Sequence, residues 1–181
     1  MAYFGDALKE VCRRLEKAQI PYMVSGSTAA NLYAQPRATN DIDIVVAVER
    51  KQADILLDTF KEGFYISQEG VRDAFDGVGM LNIIHYASVV KIDLIILKTD
   101  EFSHSAFRRR VQLSFEGVAM WFISLEDLVL QKLIWHKESG SELQLEDVRR
   151  LIFSNRGRID EQYCLKWAEE LGLVPELRGI L

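Results

Sequence analysis

The sequence predicts an α/β or α+β fold, in which a mixed β-sheet is flanked by helices and carries a C-terminal helical cap. Three observations support this class. Over the first two thirds of the chain, segments with apolar residues at helical spacing alternate with short apolar segments rich in β-branched residues. Two pairs of these short segments lie close enough in sequence to form antiparallel hairpins. The last third contains helical patterns only, and this order of elements is typical of such folds.

Composition indicates a single globular unit with a helical annex. The 181 residues are 49% hydrophobic and 27% charged, which is ordinary for a soluble domain. We divide the chain into a core, residues 1–123, and a helical extension, residues 124–181, that packs on the core. The two cysteines lack metal-binding spacing, and no apolar run approaches the roughly 20 residues of a membrane span. We therefore expect a cytoplasmic protein without a membrane partner.

The charge pattern bears on nucleic-acid binding. The net charge of −5 does not favour non-specific binding of nucleic acid, so a nucleic-acid partner would need a local basic patch. The only basic run that stands out is Arg108 to Arg110, which we interpret as a solvated face.

The first third of the chain predicts a helix over residues 4–18 and a short strand over residues 22–25. Ser27 is then expected to be the N-cap of a short helix that Pro36 ends. A strand begins at Asp41 and is followed by a helix over residues 50–62.

The rest of the chain predicts two hairpins and then helices. Residues 64–68 read as a strand, and residues 70–79 as turns or a brief helix. The apolar runs at 80–87 and 89–97 should pair in an antiparallel manner, as should 111–115 and 119–123, which Glu116 and Gly117 join. Ser124 and Asp127 resemble a capping box, and further helices are expected up to about residue 136, over 144–155 and over 160–171.

Three aspartates stand out within the predicted strands. Asp41 and Asp43 begin an otherwise apolar strand, and alternate strand residues face the same side, about 6.6 Å apart. Two carboxylates so placed repel each other, and a divalent cation such as Mg²⁺ removes that repulsion. Asp93 lies inside another apolar strand, where a charge is costly unless it is paired. Its partner is either a metal shared with the other two aspartates or Lys91, two residues away.

A glycine turn precedes this strand. Gly26 and Ser27 lie between a strand and a helix, where glycine permits close approach of a ligand to the backbone and the helix N-terminus presents amide groups. Such a turn can bind a phosphate without a basic side chain. Followed by a D-x-D strand, it is a much more specific signal than it is alone.

These residues resemble a known family. The segment GSTAANLYAQPRATNDIDIVV, residues 26–46, is similar to the signature of the DNA polymerase β-type nucleotidyltransferase superfamily. The pattern formed by Arg37, Thr39, Asp41 and Asp43 resembles its small prokaryotic branch, which includes the AbiEii-type toxin proteins and uncharacterised relatives. The helical tail is similar as well, with a lysine at Lys132 followed by an acidic residue of a later helix.

The resemblance implies a nucleotidyltransferase fold and a metal-dependent transferase. Gly26 and Ser27 would hold the β- and γ-phosphates of a nucleoside triphosphate, and Arg37 and Lys132 would neutralise phosphate charge. The three aspartates would bind Mg²⁺ or Mn²⁺, with Asp93 also helping to deprotonate the acceptor. The acceptor is unknown and could be a protein side chain, an RNA end or a small molecule.

Structural roles compete with these assignments. Asp41 and Asp43 could be solvated strand-end residues, and Arg37 could form a salt bridge to Asp41. Lys132 is expected to be exposed unless the tail folds back over the cleft. Asp147, the acidic residue of the tail, is expected to pair with Arg150 three residues on.

Two other functions compete with catalysis. The chain could be a toxin–antitoxin component that binds a cognate antitoxin or another partner protein without turnover. Alternatively, it could be a regulator that binds a nucleotide without an acceptor.

Overall fold

A computed structural model of the protein describes residues 2–181, so Met1, the first residue of the predicted core, lies outside the described residues. The described chain forms seven strands: β1 (Tyr22–Val24), β2 (Asp41–Val46), β3 (Phe64–Tyr65), β4 (Met80–His85), β5 (Val90–Ile96), β6 (Val111–Phe115) and β7 (Val118–Phe122). It also forms nine α-helices: α1 (Ala2–Lys17), α2 (Gly26–Tyr33), α3 (Ala53–Phe60), α4 (Gln68–Asp73), α5 (Glu101–Arg108), α6 (Leu125–Ser139), α7 (Glu142–Ser154), α8 (Glu161–Leu171) and α9 (Val174–Arg178). None of the helices within residues 2–181 is long and apolar enough to cross a bilayer.

The strands form one mixed sheet in the order β3-β4-β5-β2-β1-β7-β6. Strand β2 runs parallel to β5 and β1 runs parallel to β7, whereas the other neighbours are antiparallel. The predicted mixed sheet and both predicted hairpins are confirmed. The β6–β7 turn holds Glu116 at φ 47° and Gly117 at φ 81°, as expected for a two-residue hairpin turn with positive φ at both central positions.

The sheet register places the aspartates side by side. In the parallel pair, Asp41 lies opposite Lys91 and Asp43 lies opposite Asp93. In the neighbouring antiparallel pair, Asn82 of β4 is also opposite Asp93. Because residues opposite one another share a face of the sheet, these side chains form adjacent rows on one face.

The other face of these strands is apolar and covered. Alternate residues of β2 and β4 are buried there, and α1 and α4 contact β5 and β4. Apolar residues of α1 at helical spacing, including Leu8, Val11 and Leu15, are fully buried. The predicted N-terminal helix therefore forms because it covers this face.

The helical tail folds back on the core. Helix α6 contacts α2, α7 and α8, and α7 also contacts α2. One hydrophobic core contains buried residues from both sides of residue 123, among them Phe122, Ile123 and Leu128. The division at residue 123 stays a prediction, because burial is continuous across it.

One local expectation is wrong, and one helix was not predicted. Helix α2 begins at Gly26 with Ser25 in the N-cap position, so Ser27 is not the cap. Helix α5 was not predicted, although Asp100 caps it by accepting a hydrogen bond from the Ser103 amide at 2.8 Å.

The basic run is solvated in part: Arg108 is exposed, whereas the two arginines that follow it lie over aromatic rings. The Arg109 guanidinium lies 3.8 Å from the Tyr163 ring centroid and 3.3 Å from Asp127. The Arg110 guanidinium lies over the rings of Phe107 and Trp121.

Candidate functional site

Asp41, Asp43 and Asp93 form a carboxylate cluster. It lies on the face of β2 and β5 that is opposite the apolar, helix-covered face. Asp43 and Asp93 are direct neighbours across the parallel pair, and Asp41 precedes Asp43 by two residues on the same face. Neighbouring strands are about 4.8 Å apart, so negative charge is concentrated here. The structure thus brings together the three aspartates that the sequence singles out.

Asp43 is the most strongly perturbed of these groups. Burial, followed by repulsion from Asp41 and Asp93, raises its pKa from the ordinary 3.8 to about 6. No hydrogen bond from any side chain within residues 2–181 reaches its carboxylate. A buried carboxylate in this state is stabilised by a cation or a hydrogen-bond donor that a ligand brings.

Gly26 is required where it contacts Asp43. Its φ is +59°, and a Cβ built on it would lie 1.8 Å from Asp43 Oδ2. The Ser25 amide also donates to the Asp43 carbonyl at 2.9 Å. The turn and the D-x-D strand are therefore packed against each other, and the start of α2 lies directly beside the carboxylates.

Asp93 is nearly buried and has two partners. It is 6% exposed, and it accepts hydrogen bonds from Asn82 Nδ2 at 2.5 Å and from Lys91 Nζ at 2.8 Å. The hydrogen bond to Asp93 raises the pKa of Lys91. The pairing of Asp93 with Lys91 is confirmed. Sequence reasoning missed Asn82, although it is the one polar residue before His85 in the apolar strand β4.

Arg37 connects the turn to the helical tail. Its Nη2 donates to Ser27 Oγ at 2.7 Å, and Nε and Nη2 both donate to Asp147 at 2.9 Å. Arg37 thus pairs with Asp147 and not with Asp41, the alternative to a phosphate contact, because α7 offers a carboxylate in bidentate geometry, which suits a guanidinium. The hydrogen bonds to Asp147 raise the pKa of Arg37.

Lys132 is buried, contrary to the expectation that it is exposed. Its side chain is 0% exposed and donates to Asp147 Oδ2 at 2.7 Å and to Gln144 Oε1 at 2.9 Å. The tail does fold back, which removes this residue from water. Burial lowers the pKa of Lys132, and the charge of Asp43 acts in the opposite direction.

Asp147 is the centre of this network. The expected pair with Arg150 is present at 3.2 Å, but Arg37 and Lys132 bind the same carboxylate. Burial alone would raise the pKa of Asp147, yet the hydrogen bonds from Arg37 and Lys132 outweigh it and lower that pKa. Two cations are thus held beside the carboxylate cluster by a single acid.

The donor set suits a metal ion that arrives with a ligand. Within residues 2–181, no group of three acidic, histidine or cysteine side chains forms a ready-made metal cage. Mg²⁺ is commonly bound by one or two carboxylates together with substrate phosphates. Asp41 and Asp43 provide such oxygens, and the pKa of Asp43 is raised by burial first and then by repulsion from Asp41 and Asp93.

Comparisons with known proteins agree with this geometry. A family described as "Nucleotidyltransferase of unknown function (DUF6036)" matches residues 5–160. No sequence among the curated proteins matches the chain.

Solved structures show the same fold at low identity. The antibiotic-resistance factor ANT(2'')-Ia is similar with a TM-score of 0.65 and 11% identity, over 97% of this chain and 96% of its own. An antigenic nucleotidyltransferase-like protein from Paracoccidioides brasiliensis gives 0.56 and 17%, over 98% and 93%. The lincosamide antibiotic adenylyltransferase LnuA gives 0.52 and 14%, over 80% and 93%.

Proposed function

We propose that this chain, which belongs to the DUF6036 family of nucleotidyltransferases, is an active transferase. It would transfer a nucleoside monophosphate from a nucleoside triphosphate to an acceptor hydroxyl. The observation that carries this proposal is Asp43, whose carboxylate lies beside Gly26 at the start of α2 and between two further aspartates. Carboxylates beside a phosphate-binding turn would repel the phosphates unless a cation lies between them. A metal-bound triphosphate brings both the phosphates and that cation.

The turn would bind the triphosphate tail. Backbone amides at the start of α2, at Gly26 and Ser27, point toward an anion at a helix N-terminus. Arg37 already contacts Ser27 Oγ at 2.7 Å, so its charge acts on the same region. Lys132 lies deeper, within electrostatic reach of Asp43.

Asp41 and Asp43 would hold Mg²⁺ or Mn²⁺, with Asp93 as the third carboxylate. The ion, when bound, would neutralise the charge of the phosphates and of the aspartates. Both oxygens of Asp93 already accept a hydrogen bond, Oδ1 from Asn82 and Oδ2 from Lys91, so its ligand role would use a second lone pair of one of these oxygens.

The transfer is a single displacement at the α-phosphorus. A bond forms between the acceptor oxygen and phosphorus, and the bond from phosphorus to the bridging oxygen breaks. Pyrophosphate departs with the electron pair of that bond. The proton of the acceptor hydroxyl passes to Asp93, which faces the cluster. The protein contributes mainly position and charge, as in other phosphoryl transfers.

Two structural neighbours suggest a small-molecule acceptor. ANT(2'')-Ia has been solved with adenylyl-2''-tobramycin, and LnuA with lincomycin. A role as a toxin–antitoxin component rests on the family resemblance only. It becomes the better proposal if the protein binds no nucleotide.

A thermal melt with each triphosphate, with and without Mg²⁺ or Mn²⁺, tests the nucleotide site. Ligand at about a hundred times its dissociation constant stabilises by about 2.7 kcal/mol, which raises the melting temperature by about 5–10 °C in a chain of this size. We expect a metal-dependent rise in the wild type and none in Asp43→Asn. No rise with any triphosphate would contradict the proposal.

A further inference from the structure

The carboxylate face of the sheet continues beyond the cluster as an uncovered surface. The side chains of Tyr65, Met80, Asn82 and Ile84 form this surface, the open shelf, on β3 and β4. Tyr65 lies opposite Ile84, and Ile84 lies opposite Lys91. Asn82 lies opposite Asp93 and donates to it. The shelf is therefore in register with the rows that contain the aspartates.

The shelf exposes apolar side chains where a soluble sheet normally presents polar ones. Tyr65 is 52% exposed, Met80 38% and Ile84 36%. On the reverse face, α4 packs against β4 and α1 packs against the neighbouring β5. Helix α2 packs against β2, and α6 and α7 pack against α2. The described helices therefore leave Tyr65, Met80 and Ile84 open to solvent.

We infer that the open shelf binds the acceptor, and that the acceptor is a small uncharged molecule with an apolar or aromatic portion next to its reacting hydroxyl. The inference rests on the proposed function. Asn82 connects the shelf to the carboxylate cluster, because it belongs to the shelf and also donates to Asp93. A molecule lying on Tyr65 and Ile84 would present its hydroxyl to Asp93 in the next strand, β5.

The dimensions of the shelf favour a small molecule over a protein. Two inter-strand spacings span about 10 Å, and residues 80–84 span about 13 Å along the strand. The resulting area of about 130 Å² is far below the roughly 800 Å² that each partner buries in a stable protein interface.

The charges of the shelf favour an uncharged acceptor. Its four residues include no acid, so a polycationic acceptor would find no partner there. A nucleic acid needs several cations along its backbone, and the shelf offers only Lys91 at its border. That ammonium is already bound to Asp93.

Methyl-resolved NMR of the full chain tests this inference. The probe is 2-phenylethanol, which carries an aromatic ring and a hydroxyl group. Glycerol, which has hydroxyl groups but no apolar portion, is the control ligand. We expect saturable shifts of the Met80 and Ile84 methyl groups with 2-phenylethanol, with and without Mg²⁺ and a non-hydrolysable ATP analogue. Ile84→Ser should weaken the probe about fivefold, given the apolar area removed. Ile55→Ser is the control, because Ile55 is similarly exposed, at 40%, but lies on α3.

Equal shifts with glycerol, or equal shifts of Ile55, would overturn the inference. A dimer in solution that Ile84→Lys dissociates would overturn it too, because the shelf would then bind a second copy of the chain. If nucleotide stabilises the protein but the probe does not bind, the acceptor-binding role of the shelf is refuted and the proposed function is not affected. Probe binding without nucleotide stabilisation would refute the proposed function, and the acceptor role with it.

Discussion

Replacement of Asp147 by asparagine is expected to lower the free energy of unfolding by about 3–5 kcal/mol. Lys132 is 0% exposed and would lose the carboxylate that neutralises it. Arg37 would lose its bidentate partner at the same time. Breaking a buried ion pair from one side is costly because the remaining charge stays desolvated. The expected fall in melting temperature is about 6–20 °C.

Urea denaturation at neutral pH provides the measurement, with Glu146→Gln as the matched control. Glu146 is the preceding residue on α7 and pairs with Arg149 at the surface, so its replacement should change stability by less than about 0.5 kcal/mol. Combining Asp147→Asn with Lys132→Met should recover part of the loss. A loss below about 1 kcal/mol, or a double variant no more stable than Asp147→Asn, would contradict the buried network.

Replacement of Asp43 by asparagine is expected to stabilise the metal-free protein at pH 7.5 by about 3 kcal/mol. The folded protein binds the Asp43 proton more tightly than the unfolded chain, because burial and the neighbouring aspartates raise this pKa from 3.8 to about 6. The wild type should therefore lose stability as the pH rises from 3.8 to about 6. The asparagine variant is neutral throughout and should not show this loss.

Melting temperatures of both proteins in EDTA, between pH 4 and pH 7.5, measure this difference. The gain in Asp43→Asn should be near zero at pH 4 and largest above pH 6. Asp58→Asn is the control, because Asp58 is exposed and pairs only with Lys61 at the surface. A difference that does not change with pH, or a variant less stable than the wild type at pH 7.5, would show that Asp43 is not under electrostatic strain.

The sequence predicts those parts of the fold that depend on local patterns. The hairpin at Glu116 and Gly117 was predictable because the turn residues and two short apolar runs are adjacent. Helix α1 was predictable because its apolar stripe has helical spacing. Helix α5 was missed because it is only 8 residues long, so its apolar pattern is short, and its N-cap residue, Asp100, was not recognised.

The long-range part of the site was not predictable from local patterns. Arg37 and Asp147 are 110 positions apart, and Lys132 and Asp147 are 15 apart. Nothing in the spacing shows that α7 packs against both α6 and α2, so Lys132 was expected to be exposed. The signal that could have revealed it is a lysine within the apolar run LVLQKLIW of α6, which predicts either a solvated face or a buried partner.

The aspartate cluster was predictable from the sequence in part. Alternation within β2 places Asp41 and Asp43 on one face from sequence alone. The parallel pairing of β2 with β5, which sets Asp43 opposite Asp93, depends on the crossover connection between these strands. The resemblance to nucleotidyltransferases implied that Asp93 joins the other two aspartates, but not which strands pair to bring them together.

Transfer of label from α-³²P- and γ-³²P-labelled triphosphates tests the central claim most directly. The wild-type protein would be incubated with each label, Mg²⁺ and the small-molecule fraction of a bacterial extract, alongside Asp43→Asn. Nucleotidyl transfer predicts a new product labelled from the α position only, release of pyrophosphate from the γ-labelled substrate, and neither in the variant. A product labelled from the γ position, or a bound triphosphate that yields no α-labelled product, would contradict it.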